Sequence, residues 1–184
     1  MTLQNQRRHF SPPSIALHWL MAVLLVATAA TMEFKGVFPK GSPERDTLKA
    51  AHYLLGASVF ILVWLRLLAR AVGQTPPITP ALPVWQAWFS HGVQWALYGL
   101  MVALPVLGLL TLSANGKAIP LLWGLQMPLL PLTPDRDTTL WFKDLHETGA
   151  TVGYALVTLH SAAALVHHYF QHDNTLLRML PGRD

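Results

Sequence analysis

Imidazole is the side chain in this sequence best suited to hold a redox-active iron. The chain of 184 residues carries nine histidines and no cysteine, so disulfides, thiolate-held iron–sulfur clusters and covalently attached c-type haem are excluded. His146 and His160 are 14 residues apart, which on a helix is about 21 Å of rise and close to four whole turns, so both rings project from one face at two depths. Two further histidines can share those depths. His18 lies near the start of the first apolar stretch and His52 near the start of the second. Because successive spans run in opposite directions, His18 comes level with His160 and His52 level with His146. Two pairs, one near each surface of a bilayer, are what two b-type haems need as axial ligands.

The surroundings of these histidines fit a flat macrocycle. Gly56 follows His52, Gly149 and Gly153 follow His146, and Ala163 and Ala164 follow His160. Small side chains allow close approach to a helix, although they also serve ordinary helix packing. Arg66 shares a face with His52 but sits at the depth of the other pair, where it is a candidate partner for a haem propionate; Arg70, one turn on, lies near the same interface. His167, two turns beyond His160, is a candidate donor to a propionate or to a quinone carbonyl, and an interfacial histidine otherwise. His91 and His172 read as plain hydrogen-bonding histidines. A zinc or copper transporter would gather its ligands at one level with carboxylates or thiolates beside them, and these levels are separate.

The elements that position the histidines are apolar helices. Hydrophobic residues make up 52% of the chain and charged ones 12%, well below the charged share of an ordinary soluble domain. Four stretches, at about 14–33, 51–71, 91–112 and 146–169, are each long enough to cross roughly 30 Å of hydrocarbon. The expected fold is all-α: residues 1–184 form one integral-membrane domain, a four-helix transmembrane bundle holding two haem b groups. Ser11-Pro12-Pro13 reads as a helix start. Arg7 and Arg8 before an apolar run ending in Ala27-Thr28-Ala29 have the outline of a secretion signal; the run is long for one and contains His18, so it is kept as the first span. Prolines 76, 77, 80 and 83 make a stiff linker, Trp85 and Trp88 anchor the third span at an interface, and Pro105 kinks it. Pro120 to Leu132 is too apolar for a free loop and is expected to cap one end.

A net charge of +4 could suggest nucleic acid, but the basic residues form no stripe and no aromatic ladder, so a membrane surface or an anionic substrate suits them better. Arg7, Arg8, Arg66, Arg70, Arg178 and Arg183 fall on one side, and Lys35, Lys40, Arg45, Lys49, Lys117, Arg136 and Lys143 on the other. Six against seven leaves the positive-inside rule undecided.

Read in order, the sequence resembles the bacterial cytochrome b561 family over nearly its whole length. The matching pieces are Leu17-His18-Trp19-Leu20, Met32-Glu33-Phe34 with Gly36 and Phe38-Pro39, His52, Arg66 and Arg70, Thr75-Pro76-Pro77-Ile78 and Ala103-Leu104-Pro105-Val106. Leu145-His146-Glu147-Thr148, Gly153-Tyr154, Leu159-His160, Val166-His167-His168-Tyr169-Phe170 and Asp173-Asn174-Thr175-Leu176-Leu177-Arg178-Met179 complete them. The resemblance implies a cytochrome of the bacterial inner membrane with both termini in the cytoplasm and two b haems ligated at positions 18, 52, 146 and 160. Through its small diheme members it implies a reaction: superoxide is oxidised to O₂ at the outer surface, and the electrons reach ubiquinone. A basic funnel would speed the arrival of a small anion, and Lys143, Lys35 and Lys40 are the candidates, Lys143 matching a lysine of the family pattern. The expected partners are superoxide, ubiquinone and the lipid bilayer, with no nucleic acid and no obligate protein. A pure electron-transfer subunit between the quinone pool and a redox protein would use the same haems; a metal-ion transporter would use none.

Overall fold

The computed structural model describes residues 9–116, 119–120 and 126–182. Arg7, Arg8, Lys117 and Arg183 of the two basic sets lie outside the described residues. Four long helices, each long and apolar enough to cross a membrane, account for most of the rest: α1 (Pro12–Phe34), α2 (Pro43–Val72), α3 (Val84–Asn115) and α4 (Arg136–Tyr169).

Three of the helices begin well before the apolar stretches that announce them. Hydropathy marks only the part of a helix that meets lipid, whereas capping marks where the helix starts. Ser42 accepts the Arg45 N–H at 3.3 Å, with Pro43 next in line and Glu44 and Asp46 in the first turn, an arrangement favoured by the positive end of the helix dipole. Asp135 does the same for α4, accepting the Thr138 N–H at 2.7 Å. Hydrogen bonding from Thr138 holds the Asp135 carboxyl below the usual carboxylate range. His52 and His146 therefore stand two to three turns inside their helices, not at the starts.

α3 continues through Pro105 and ends at Gly116, whose φ of 64° is left-handed. A Cβ there would also strike Pro134 Cγ at 2.6 Å, so glycine is required twice over. The Asp135 N–H donates to Ala114 O at 3.0 Å, tying the start of α4 to the end of α3. The connection between them carries a small antiparallel hairpin, β1 (Ile119–Pro120) with β2 (Gln126–Met127), and the Leu130 N–H donates to the buried Ser113 Oγ at 2.9 Å. Of the expected cap at Pro120 to Leu132, residues 121–125 lie outside the described set.

α1 lies along α2 and α3 along α4, while α2 and α3 touch over a shorter length. The tightest packing is between α1, α2 and α3. Met21, Val59 and Val63 are almost fully buried there, surrounded by Leu24, Leu25, Leu62, Leu67, Tyr98, Met101 and Val102. No described residue of α4 is buried, and α4 makes little backbone contact with α1 or α2. The bundle is thus packed on one side and open on the side where α4 faces α1 and α2.

The end of the bundle near His18 is closed by the C-terminal segment. Asn174 is bound in both directions to the proline linker, through Thr79 N–H to its Oδ1 at 2.8 Å and through its Nδ2 to Pro77 O at 3.2 Å. Arg178 donates to Pro76 O, its backbone carbonyl accepts from Phe10 N–H at 3.0 Å, and Trp19 Nε1 donates to Met179 O at 2.7 Å. The guanidinium groups of Arg70 and Arg178 lie 5.8 and 5.5 Å from the Phe10 ring, within cation–π range.

Candidate cofactor-binding site

The open side of the bundle is where four histidines meet in twos. The rings of His18 on α1 and His160 on α4 are 6.3 Å apart between centroids, at 64° to each other. Those of His52 on α2 and His146 on α4 are 6.1 Å apart, at 75°. A first-row metal bonds an imidazole nitrogen at about 2 Å, so two rings sharing one iron stand roughly 6 Å apart between centres. Both pairs have that spacing. Among the described residues no three histidine or carboxylate side chains converge on a common metal position.

The other ring nitrogens show which proton each histidine carries. His146 Nδ1 lies 2.9 Å from Leu104 O on α3, and His52 Nδ1 lies 3.1 Å from Thr28 O and 3.4 Å from Thr31 Oγ1 on α1. A carbonyl only accepts, so Nδ1 holds the proton in both rings and Nε2 keeps its lone pair for a metal. Gly108 borders the first of these contacts: a Cβ there would stand in van der Waals contact with the ring, 3.4 Å from His146 Cε1 and 3.6 Å from Nδ1. Leu104 enters the sequence reading only as part of a family-like segment and Gly108 not at all, because a backbone carbonyl is the working atom and residue type does not advertise it. The one available signal is a glycine following Pro105 within a turn, on the helix that supplies no ligand.

The second pair is arranged differently. Arg66 Nη2 lies 2.7 Å from His18 Nδ1, and its Nε donates to Tyr98 Oη at 3.1 Å. A guanidinium only donates, so His18 Nδ1 is here the acceptor, and ligation through Nε2 requires the Nη2 end of Arg66 to turn off the ring. Nδ1 of His160 has no hydrogen bond among the described residues. Arg66 retains spare N–H groups for a carboxylate. Arg70 is directed instead to Gln94 Oε1, at 3.5 Å, and to Phe10.

The small residues divide in role. Gly56 is half-buried, yet a Cβ built on it meets nothing within 4 Å, as a wall against an open slot would. Gly149 is taken up by α3: a Cβ there would meet Leu104 Cδ2 at 2.8 Å, so it serves the packing of α4 on α3, which corrects the expectation that it flanks a macrocycle. Gly153 has room for a Cβ, its nearest neighbour being Leu100 Cδ1 at 3.8 Å.

His167 is held by Asp173, Nδ1 to Oδ2. Asp173 is only 3% exposed and also accepts the Thr175 N–H at 2.8 Å. Burial alone would raise its pKa; the bonds from His167 and Thr175 outweigh that and hold the carboxyl below the usual range. At the far end Lys35 is half-buried, close enough for its charge to act on His52, with Nζ 3.2 Å from Met32 Sδ. Lys40 is exposed, and Lys143 is paired with Glu147 at 2.8 Å on successive turns. Seven acidic residues, Glu33, Glu44, Asp46, Asp135, Asp137, Asp144 and Glu147, share this end with the seven basic ones. Any attraction for an anion here is local, because the end as a whole is neutral.

Comparison with known proteins gives a consistent picture. The profile of prokaryotic cytochrome b561 matches residues 9–182. The chain is 38% identical to cytochrome b561 homolog 1 of Escherichia coli over 95% of its own length and 98% of that protein. It is 32% identical to a probable superoxide oxidase, CybB, of Yersinia pestis over 96% and 98%, and 26% identical to cytochrome b561 homolog 2 of Escherichia coli over 98% and 95%.

Proposed function

This chain belongs to the prokaryotic cytochrome b561 family, a multi-pass membrane electron-transfer protein of b-haem type, and from that premise we propose that it is a diheme superoxide:ubiquinone oxidoreductase. The single observation carrying the diheme reading is the spacing of the two histidine pairs, 6.1 and 6.3 Å between ring centres, at two depths of one bundle. The superoxide assignment is supported by the name of the Yersinia pestis relative.

Haem, when bound, supplies reversible one-electron chemistry at iron; the chain supplies depth, ligand basicity and access. In the overall reaction two superoxide ions each give up one electron and leave as O₂, and two electrons with two protons turn ubiquinone into ubiquinol. His52 and His146 hold the haem of the end where superoxide arrives. Lys35, half-buried at that end, is the leading candidate to attract the anion, with Lys40 and Lys143 beside it. His18 and His160 would hold the haem of the quinone end, where the spare N–H groups of Arg66 are the candidate partners for propionates and Arg70, one turn on, would have to leave Gln94 to join them. His167, oriented by Asp173, stands two turns beyond His160 and is the proton donor for the quinone.

In this reading the protein lies in the inner membrane with both termini in the cytoplasm and His52 and His146 towards the periplasm, the orientation that the resemblance to the family implies.

The test is a pyridine haemochrome count followed by stopped-flow mixing of the oxidised protein with superoxide. Two haems per chain that are reduced on mixing and reoxidised only by a ubiquinone analogue establish the reaction. Two haems indifferent to superoxide move the assignment to an electron-transfer subunit serving a redox protein.

A further inference from the structure

The two histidine pairs have the same spacing but not the same electrostatic surroundings. At His52 and His146 both Nδ1–H groups are given to oxygens, Thr28 O at 3.1 Å and Leu104 O at 2.9 Å. An acceptor behind an axial imidazole raises its basicity and favours the more positive, oxidised iron. At His18 and His160 no oxygen accepts from either Nδ1 among the described residues. A guanidinium stands there instead, 2.7 Å from His18 and anchored through Nε to Tyr98. A positive charge within a low-dielectric bundle favours the form with one more electron. The Tyr98 anchor keeps that charge in the pocket even when Nη2 turns off His18 to free it for ligation.

We propose that the two haem positions hold an electron with unequal strength, the His18/His160 position more tightly, and that Arg66 sets most of the difference. This rests on the diheme reading above. Electrons entering beside His52 and His146 are then drawn across the bilayer by the protein's own fixed charge, so Arg66 is a positioning residue for the direction of transfer.

A potentiometric titration of the detergent-purified holoprotein, followed in the haem α-band, tests this without any turnover. His52→Ala and His160→Ala, each leaving one haem, assign the steps; the step belonging to His18/His160 must lie higher in the native protein. Arg66→Gln must lower that step alone, changing the sharing of an electron between the positions at least tenfold, which is about 59 mV for a one-electron couple. Arg66→Lys must keep the greater part of the native separation, a rescue that a merely structural role would not give. If Arg66→Gln loses its haem, Tyr98→Phe decides, since it removes the anchor of the guanidinium and must lower the same step alone. Coincident steps in the native protein, the reverse order, or a shift of both haems together in Arg66→Gln overturns the proposal. A haemochrome count below two overturns the diheme reading instead, so the two failures are told apart.

Discussion

His146 on α4 and Leu104 on α3 are joined through 2.9 Å between Nδ1 and the carbonyl oxygen, so the helix that supplies no ligand orients one. Residue 108 lies directly beside that ring, where a Cβ just fits and a larger side chain does not. Gly108→Val brings branched methyls against His146 Cε1, which already has 3.4 Å to an added Cβ. The expected result is loss of the haem at His52/His146 with the other retained, seen as a haemochrome count falling from two towards one. An unchanged count would show that Leu104 does not orient the ring.

The ligand pairs predict separable losses. His52→Ala or His146→Ala removes one haem and abolishes superoxide oxidation. His18→Ala or His160→Ala removes the other, and the remaining haem is still reduced by superoxide but is no longer reoxidised rapidly by a ubiquinone analogue. Loss of both haems from every variant in properly inserted protein would argue against two independent pairs.

Charge reversal at the entry end separates the lysines. Lys35→Glu reverses a half-buried charge at the end that holds His52 and His146 and is expected to slow superoxide oxidation by about tenfold at low salt, an effect that shrinks as the Debye length falls to about 8 Å at physiological ionic strength. Lys143→Glu acts in the same direction but less, because Lys143 already spends its charge on Glu147 in an exposed pair. Both variants keep two haems. The measurement is the bimolecular rate across a salt series, and equal rates for all three proteins at low salt would remove the lysines from the mechanism.

Asp173 locks the C-terminal segment under the bundle. Its carboxyl is buried and held below the usual carboxylate range by His167 and Thr175. The folded value is depressed, so the stabilisation is present above the unfolded carboxylate pKa of about 3.9 and is lost as pH falls further, through the folded value. Asp173→Ala leaves the Thr175 N–H and His167 without their partner and is expected to cost about 3 kcal/mol. The readout is a lower melting temperature in detergent at pH 7, with the gap to the native protein closing in acid.

The sequence reads well where chemistry is carried by side-chain type and spacing. Four apolar stretches give four helices, and a 14-residue interval on α4 places two rings at two depths opposite His18 and His52. It reads poorly where backbone or capping decides. α2 and α4 begin at Ser42 and Asp135 caps within polar sequence, which no hydropathy window detects. Gly149 looks from spacing like a wall of a cofactor slot and instead admits Leu104, because the face of a helix that meets a neighbour depends on the tilt of both. The Lys143–Glu147 pair, four residues apart, was legible and bears directly on how strong a funnel can be.

The early helix starts have a consequence for what can reach the iron. From Pro43 to His52 and from Arg136 to His146 the helices run on for about 14 and 15 Å beyond the ligands. His52 and His146 are thus set back from the helix ends on this side of the bundle. A folded redox protein resting on those ends keeps its own centre at least that far from the histidines, a long gap for an electron to tunnel. On the proposed function this set-back favours a donor of two atoms over a docked protein, a selection by size that acts beside any selection by charge.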